Sequence, residues 1–118
     1  MNMNYFVFGT NDMQRAISFY DGFFAGSGVS KVLSGGRMSV WQKETFMFAI
    51  AEPFDGQKAS NGNGTMVGFN VGSTEEVSRL YTQALTLGGV SEGEPGIRSG
   101  RFSAYFRDLD NNKICLFE

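Results

Sequence analysis

Apolar positions along this chain switch between a strand-like and a helix-like period, and the switches fall in the same order twice. Tyr5–Gly9 is a short run rich in Phe and Val, the pattern of a buried strand. Thr10 and Asn11 are favoured N-cap types, and Asp12 sets a negative charge at the positive end of a helix. Met13, Ala16, Ile17, Tyr20 and Phe24 then recur at three- and four-residue spacing, which predicts an amphipathic helix ended by Gly26-Ser27-Gly28. Residues 29–33, 37–42 and 45–51 read as three strands, with Ser34-Gly35-Gly36 and Lys43-Glu44 as the turns between them. The first half is therefore β-α-β-β-β.

Residues 53–64, polar with three glycines and a proline, read as a linker over the surface. A strand is expected at 66–71. Ser73 and Glu76 then form a capping box ahead of Val77, Leu80, Tyr81, Ala84 and Leu87 at helical spacing, closed by Gly88-Gly89. A short strand at 90–92 and an irregular stretch at 93–100 are expected next. The chain ends in a hairpin, with strands at 102–107 and 113–117 around the polar turn Asp108-Leu109-Asp110-Asn111-Asn112. Phe8 and Phe69, Ala16 and Val77, and Tyr20 and Tyr81 are each 61 residues apart, so strand, cap and helix repeat at one offset, as in a duplicated unit.

Composition narrows the chemistry. At 118 residues the chain has the length of one domain, or of two small halves sharing a core. A net charge of −2 without a basic block argues against nucleic acid and anionic membrane as partners. One cysteine excludes an internal disulfide and fits a reducing cytoplasm, and residues 1–9 lack the basic start and long apolar run of a signal peptide. Sixteen glycines suit a turn-rich sheet protein. There is no histidine, which removes every His-based triad, His general base and His metal ligand.

Two βαβββ units ending in a DxDxN-type hairpin resemble the vicinal oxygen chelate superfamily of glyoxalases, bleomycin-resistance proteins and dioxygenases. The matching pieces are Asn11-Asp12 with Ala16, Phe19 and Tyr20, then Pro53-Phe54-Asp55-Gly56, Gly62-Asn63-Gly64-Thr65, and the hairpin from Tyr105 to Lys113. The hairpin departs from the pattern with Leu109 where Pro is usual and Asn111 where Gly is usual, both acceptable in a turn. The resemblance implies an α+β fold in a single glyoxalase-like domain. One module spans about 1–55 and the other about 65–118; their strands form a cupped mixed sheet with helices on the outer face. It also implies a homodimer.

In metal-dependent members His and Glu ligands on four strands hold a divalent ion. Carried over, those positions fall on Tyr5, a residue near Phe48, Met66 and Cys115, none of which supplies a hard oxygen or imidazole ligand of the usual kind. No metal or other cofactor is therefore expected. The cup is expected to be lined by Tyr5, Trp41, Phe48, Met66, Tyr105 and Cys115, a soft, aromatic surface suited to a small hydrophobic or aromatic molecule. Arg98 and Arg101 are candidates for its rim, where they could pair with an anion. Cys115 has no base to activate it and reads as an inert buried thiol, while Asp108 and Asp110 read as turn residues. Three function classes follow: a metal-free small-molecule binder, a lyase or dioxygenase with a relocated, dimer-shared or absent metal, and an interaction protein with a filled cup.

Overall fold

The computed structural model describes residues 1–118 and divides the chain into two units, Met1–Asn61 and Gly62–Glu118, with the boundary inside the expected linker. The first unit runs β1 (Tyr5–Gly9), α1 (Met13–Phe24), β2 (Ser30–Gly35), β3 (Met38–Lys43) and β4 (Phe46–Ala51). The second runs β5 (Met66–Asn70), α2 (Thr74–Thr86), β6 (Val90–Arg98), β7 (Arg101–Arg107) and β8 (Lys113–Phe117). Each unit is a four-stranded mixed sheet, ordered β1-β4-β3-β2 and β5-β8-β7-β6, with one parallel pair and two antiparallel pairs. This is an α+β fold built on one topology used twice. Neither helix is long and apolar enough to cross a membrane.

In the first unit the core is aromatic. Phe19, Tyr20, Phe23 and Phe24 of α1 meet Phe8, Trp41 and Phe48 of the sheet, and all seven side chains are buried. Tyr20 lies 4.9 Å from Phe48 and 5.6 Å from Trp41, ring centre to ring centre, so the contact is continuous from helix to sheet. In the second unit α2 buries Val77, Leu80 and Ala84 beside a sheet whose buried face carries Ala104, Phe106, Ile114 and Leu116. Here a nearly aliphatic core fills the same architecture.

Helix starts follow local chemistry, with one correction. The N-cap of α1 is Asp12, which accepts from the Arg15 backbone N–H at 3.1 Å, and the Thr10 hydroxyl accepts from the Asp12 N–H. Asn11 instead turns to the linker, where its side chain accepts from the Ala59 N–H at 2.8 Å and donates to the Ala59 carbonyl at 3.1 Å. Gly9 permits this, because a Cβ there would lie 2.9 Å from the Ala59 Cβ. In α2 Ser73 caps the Glu76 N–H as expected, whereas the Glu76 carboxylate pairs with Arg79.

The larger difference is β6. Its nine residues run through 93–98 of the stretch 93–100 expected to be irregular, and its register to β7 shifts between Ser91 and Gly93 and again between Gly93 and Gly96. Those shifts absorb Pro95, which has no N–H for a ladder and is tolerated because β6 is an edge strand.

Candidate functional site

The site forms on the face of the second sheet turned away from α2. Strand alternation sends Ala104 and Phe106 of β7, with Ile114 and Leu116 of β8, into the core. Arg101, Ser103, Tyr105 and Arg107, with Lys113, Cys115 and Phe117, take the other face. Cross-strand pairing places Ser103 opposite Phe117, Tyr105 opposite Cys115 and Arg107 opposite Lys113. The β7–β8 turn fixes that register. One Asp108 carboxylate oxygen accepts from the backbone N–H groups of Asp110 and Asn112, both at 2.9 Å, and the other from the Asn112 side chain at 3.0 Å. Asn111 adopts a positive φ of 68°, within reach of Asn and costly for most other residues. Asp108 and Asn112 are both buried, and the acidic pair of the sequence, Asp108 and Asp110, is a structural turn.

A cavity of about 290 Å³ opens on this face. Tyr105, Cys115 and Phe117 give it an apolar and aromatic wall, Ser103 contributes a hydroxyl, and Arg98 and Arg101 stand at the β6–β7 turn. Two glycines make the room. A Cβ on Gly68 would meet the Phe117 ring at 3.2 Å, and one on Gly93 would meet both the Arg98 guanidinium and the Tyr105 ring at 3.1 Å. Arg98 is fixed by donating to the carbonyls of Ser103 and Glu94, each at 2.7 Å, and its guanidinium lies 5.3 Å from the Tyr105 ring centre. Lys113 reaches the same ring at 5.5 Å, and Arg101 sits 5.0 Å from the Phe117 ring centre.

The electrostatics are those of a cationic face over a neutral thiol. Burial pushes the Cys115 thiol above its ordinary value, and the Tyr105 hydroxyl, Arg98 and Lys113 pull against it without prevailing. Cys115 is thus held as a thiol and not as a nucleophilic thiolate. Arg107 is neutralised by Glu92 at 2.7 Å, and this hydrogen-bonded pair holds the Glu92 carboxyl below its ordinary value.

The expected site residues separate into three groups. Arg98, Arg101, Tyr105 and Cys115 come together in this cavity. Met66 lies on the neighbouring strand opposite Lys113 and is half exposed, outside the cavity lining, and Tyr5 lies in the first unit with its hydroxyl 3.6 Å from the Met38 sulfur. Trp41 and Phe48 correct the expectation: each is 1% exposed and packs on Tyr20 and Phe24 of α1. Their strands are offset by one residue from the assumed facing, which exchanges core side for open side. On β4 the residue sharing the face of Tyr5 is Met47, its register partner. Sequence reasoning missed Ser103, Lys113 and Phe117. The period-2 signal that turned Cys115 outward applies equally to Lys113 and Phe117, two residues either side of it.

The donors do not fit the metal implied by the fold family. The open faces offer the phenol of Tyr5, the thioethers of Met47 and Met66 and the thiol of Cys115, with no imidazole or carboxylate among them. No three His, Cys, Asp or Glu side chains gather anywhere in the chain. A second and larger cavity, about 470 Å³, lies in the first unit between Asn11, Arg37, Glu52 and the linker residues around Phe54. Its Arg37 is committed to the Glu52 carbonyl at 2.7 Å and to the ring of Phe54, which is itself 90% exposed, so the cavity has no aromatic floor.

Known proteins with this architecture are numerous. A glyoxalase/bleomycin resistance protein from Albidiferax ferrireducens T118 shares 30% identity over 98% of this chain and 96% of its own, with a TM-score of 0.91. A lactoylglutathione lyase from Agrobacterium tumefaciens shares 19% identity over 99% of this chain and 92% of its own, with a TM-score of 0.74. The fosfomycin resistance protein FosX from Mesorhizobium loti shares 20% over 99% and 90%, with a TM-score of 0.73. No curated protein sequence matches this one significantly. The family model for the Glyoxalase/Bleomycin resistance protein/Dioxygenase superfamily matches residues 2–116. With its two βαβββ units and that match over nearly its whole length, the chain belongs to the Glyoxalase/Bleomycin resistance protein/Dioxygenase superfamily.

Proposed function

We propose that this protein binds a small organic molecule with an apolar or aromatic body on the β7–β8 face of its second unit, and does so without a metal ion. The observation that carries the reading is the cavity itself: Tyr105 and Phe117 form its wall, Cys115 is kept neutral beside them, and Gly68 and Gly93 leave the space open. At about 290 Å³ it is near the lower limit for ligand sites, which suits one or two fused rings. Binding is favoured over a lyase or dioxygenase chemistry because Lewis-acid catalysis needs a gathered set of metal ligands, and no three His, Cys, Asp or Glu side chains come together here.

A thermal-shift screen of aromatic compounds, with and without divalent metals, tests this. A compound at one hundred times its Kd stabilises the folded state by about 2.7 kcal/mol. That is a rise of roughly 5–15 °C in Tm for a chain of this size. Stabilisation by organic compounds alone supports the reading. Stoichiometric stabilisation by Zn, Ni, Mn or Fe, or no response to any aromatic compound, overturns it.

A further inference from the structure

The β6–β7 connection is a two-residue turn, Ser99-Gly100, with φ of 50° and 75°. Positive φ at both central residues marks a type I′ turn, whose twist matches the strands it joins. Its consequence is electrostatic. Arg98 and Arg101 become direct cross-strand partners, and like charges opposite each other destabilise a sheet. Neither arginine joins an ion pair, unlike Lys31 with Asp21, Arg79 with Glu76 and Arg107 with Glu92. The cavity lining contains both guanidiniums and no acid, and Lys113 adds a third cation above the Tyr105 ring.

The two arginines differ in freedom. Arg98 spends two donors on main-chain carbonyls and is immobilised over Tyr105. Arg101 is exposed, lies over the Phe117 ring, makes no side-chain hydrogen bond and keeps its whole fork of N–H donors for a ligand. A guanidinium fork matches the geometry of a carboxylate and can hold it by two parallel hydrogen bonds.

Resting on the binding reading above, we infer that this pocket selects a small aromatic or apolar carboxylic acid. Arg101 takes the carboxylate, Arg98 supplies a fixed second positive charge, and the ring lies against Tyr105, Cys115 and Phe117. A neutral molecule of the same shape leaves the repulsion between Arg98 and Arg101 uncompensated, so charge and shape are read together.

The test is NMR titration of the full chain with three acid–amide pairs: benzoate and benzamide, 2-naphthoate and 2-naphthamide, indole-3-carboxylate and its amide. The acids should shift the backbone amides of Ser103, Cys115 and Phe117, and bind at least about tenfold more tightly than the matching amides. Arg101→Gln, an exposed substitution that leaves the core intact, should remove that preference, so that each acid binds no more tightly than its amide. Equal binding of acids and amides at these residues overturns the anion inference and leaves the pocket standing. Shifts by none of the six compounds overturn both.

Discussion

The two units share a topology and differ in nearly everything placed on it. Register equates Met38 with Ser103, Val40 with Tyr105, Gln42 with Arg107, Met47 with Lys113 and Ala49 with Cys115. The open face of the first sheet is uncharged and mostly apolar, with thioethers, Val40 and the ring of Tyr5 beside Gln42, whereas that of the second is cationic and aromatic. The cores diverge the other way. Seven buried aromatic rings span α1 and its sheet, while α2 and its sheet bury Val, Leu, Ile and Ala around the ring of Phe106. Backbone pattern and turn chemistry specify the βαβββ unit, and either core satisfies it, since cores accept different apolar fillings of suitable volume. The open faces are free of that constraint, and there the second unit carries the cavity.

Exchanging core residues tests the contrast most severely. Phe48 and Ile114 occupy equivalent positions, and Phe48 makes ring contacts with Phe8, Tyr20 and Phe24. Phe48→Ile should cost about 2–4 kcal/mol in lost ring pairs and cavity, and Ile114→Phe about 1–3 kcal/mol through overpacking. Urea midpoints measure both. If either variant is as stable as the parent, the two cores are interchangeable and the contrast is superficial.

A smaller effect should follow at the β7–β8 turn. Asp108→Ala removes the acceptor of two backbone N–H groups and of the Asn112 side chain, for a loss of about 2–3 kcal/mol. In the first unit the β3–β4 connection, Glu44-Thr45, has no buried carboxylate, and Glu44→Ala should stay within about 0.5 kcal/mol. Similar losses at the two sites would sink the claim that only the second turn depends on an internal acid.

The smallest difference is alkaline. Cys115 titrates where Ala49 cannot, and burial raises its folded value. A raised group contributes stability that is complete below the unfolded thiol value and disappears as pH rises through the folded one. The parent should therefore lose more stability than Cys115→Ala across the alkaline range. The check is the difference between the two melting curves from about pH 7 to pH 10; parallel curves would mean the thiol is solvated.

Much of this was legible in the sequence. Both helices, the linker, the terminal hairpin and the repeat follow from apolar spacing, cap residues and turn chemistry, all local signals. β6 was legible only at its start, because Gly93, Pro95 and Gly96 look like loop residues until bulges on an edge strand accommodate them. Facing was harder. A period of two identifies two faces without saying which meets the helix: Cys115 and Tyr105 lie on the face away from α2, whereas Trp41 and Phe48 turn to α1, the reverse of the expectation. The proximity of Arg98 and Arg101 was open to reading, since Ser99-Gly100 between them is hairpin chemistry. Their lack of carboxylate partners is a tertiary fact.

The Asn11 clamp has a consequence for how the chain resists digestion. The linker looks like a cleavage site for a trypsin-like protease, and Lys58 is its one basic residue. The bond such an enzyme would cut leads straight into Ala59, whose N–H and carbonyl are both held by Asn11 and whose methyl group sits on Gly9. A protease must strip that residue from β1 before it can extend the segment in its cleft. The six residues that follow, 60–65, carry no basic side chain at all. The Lys58–Ala59 bond is therefore guarded by one amide side chain of the same unit, and Asn11 sets how readily a trypsin-like protease cuts there.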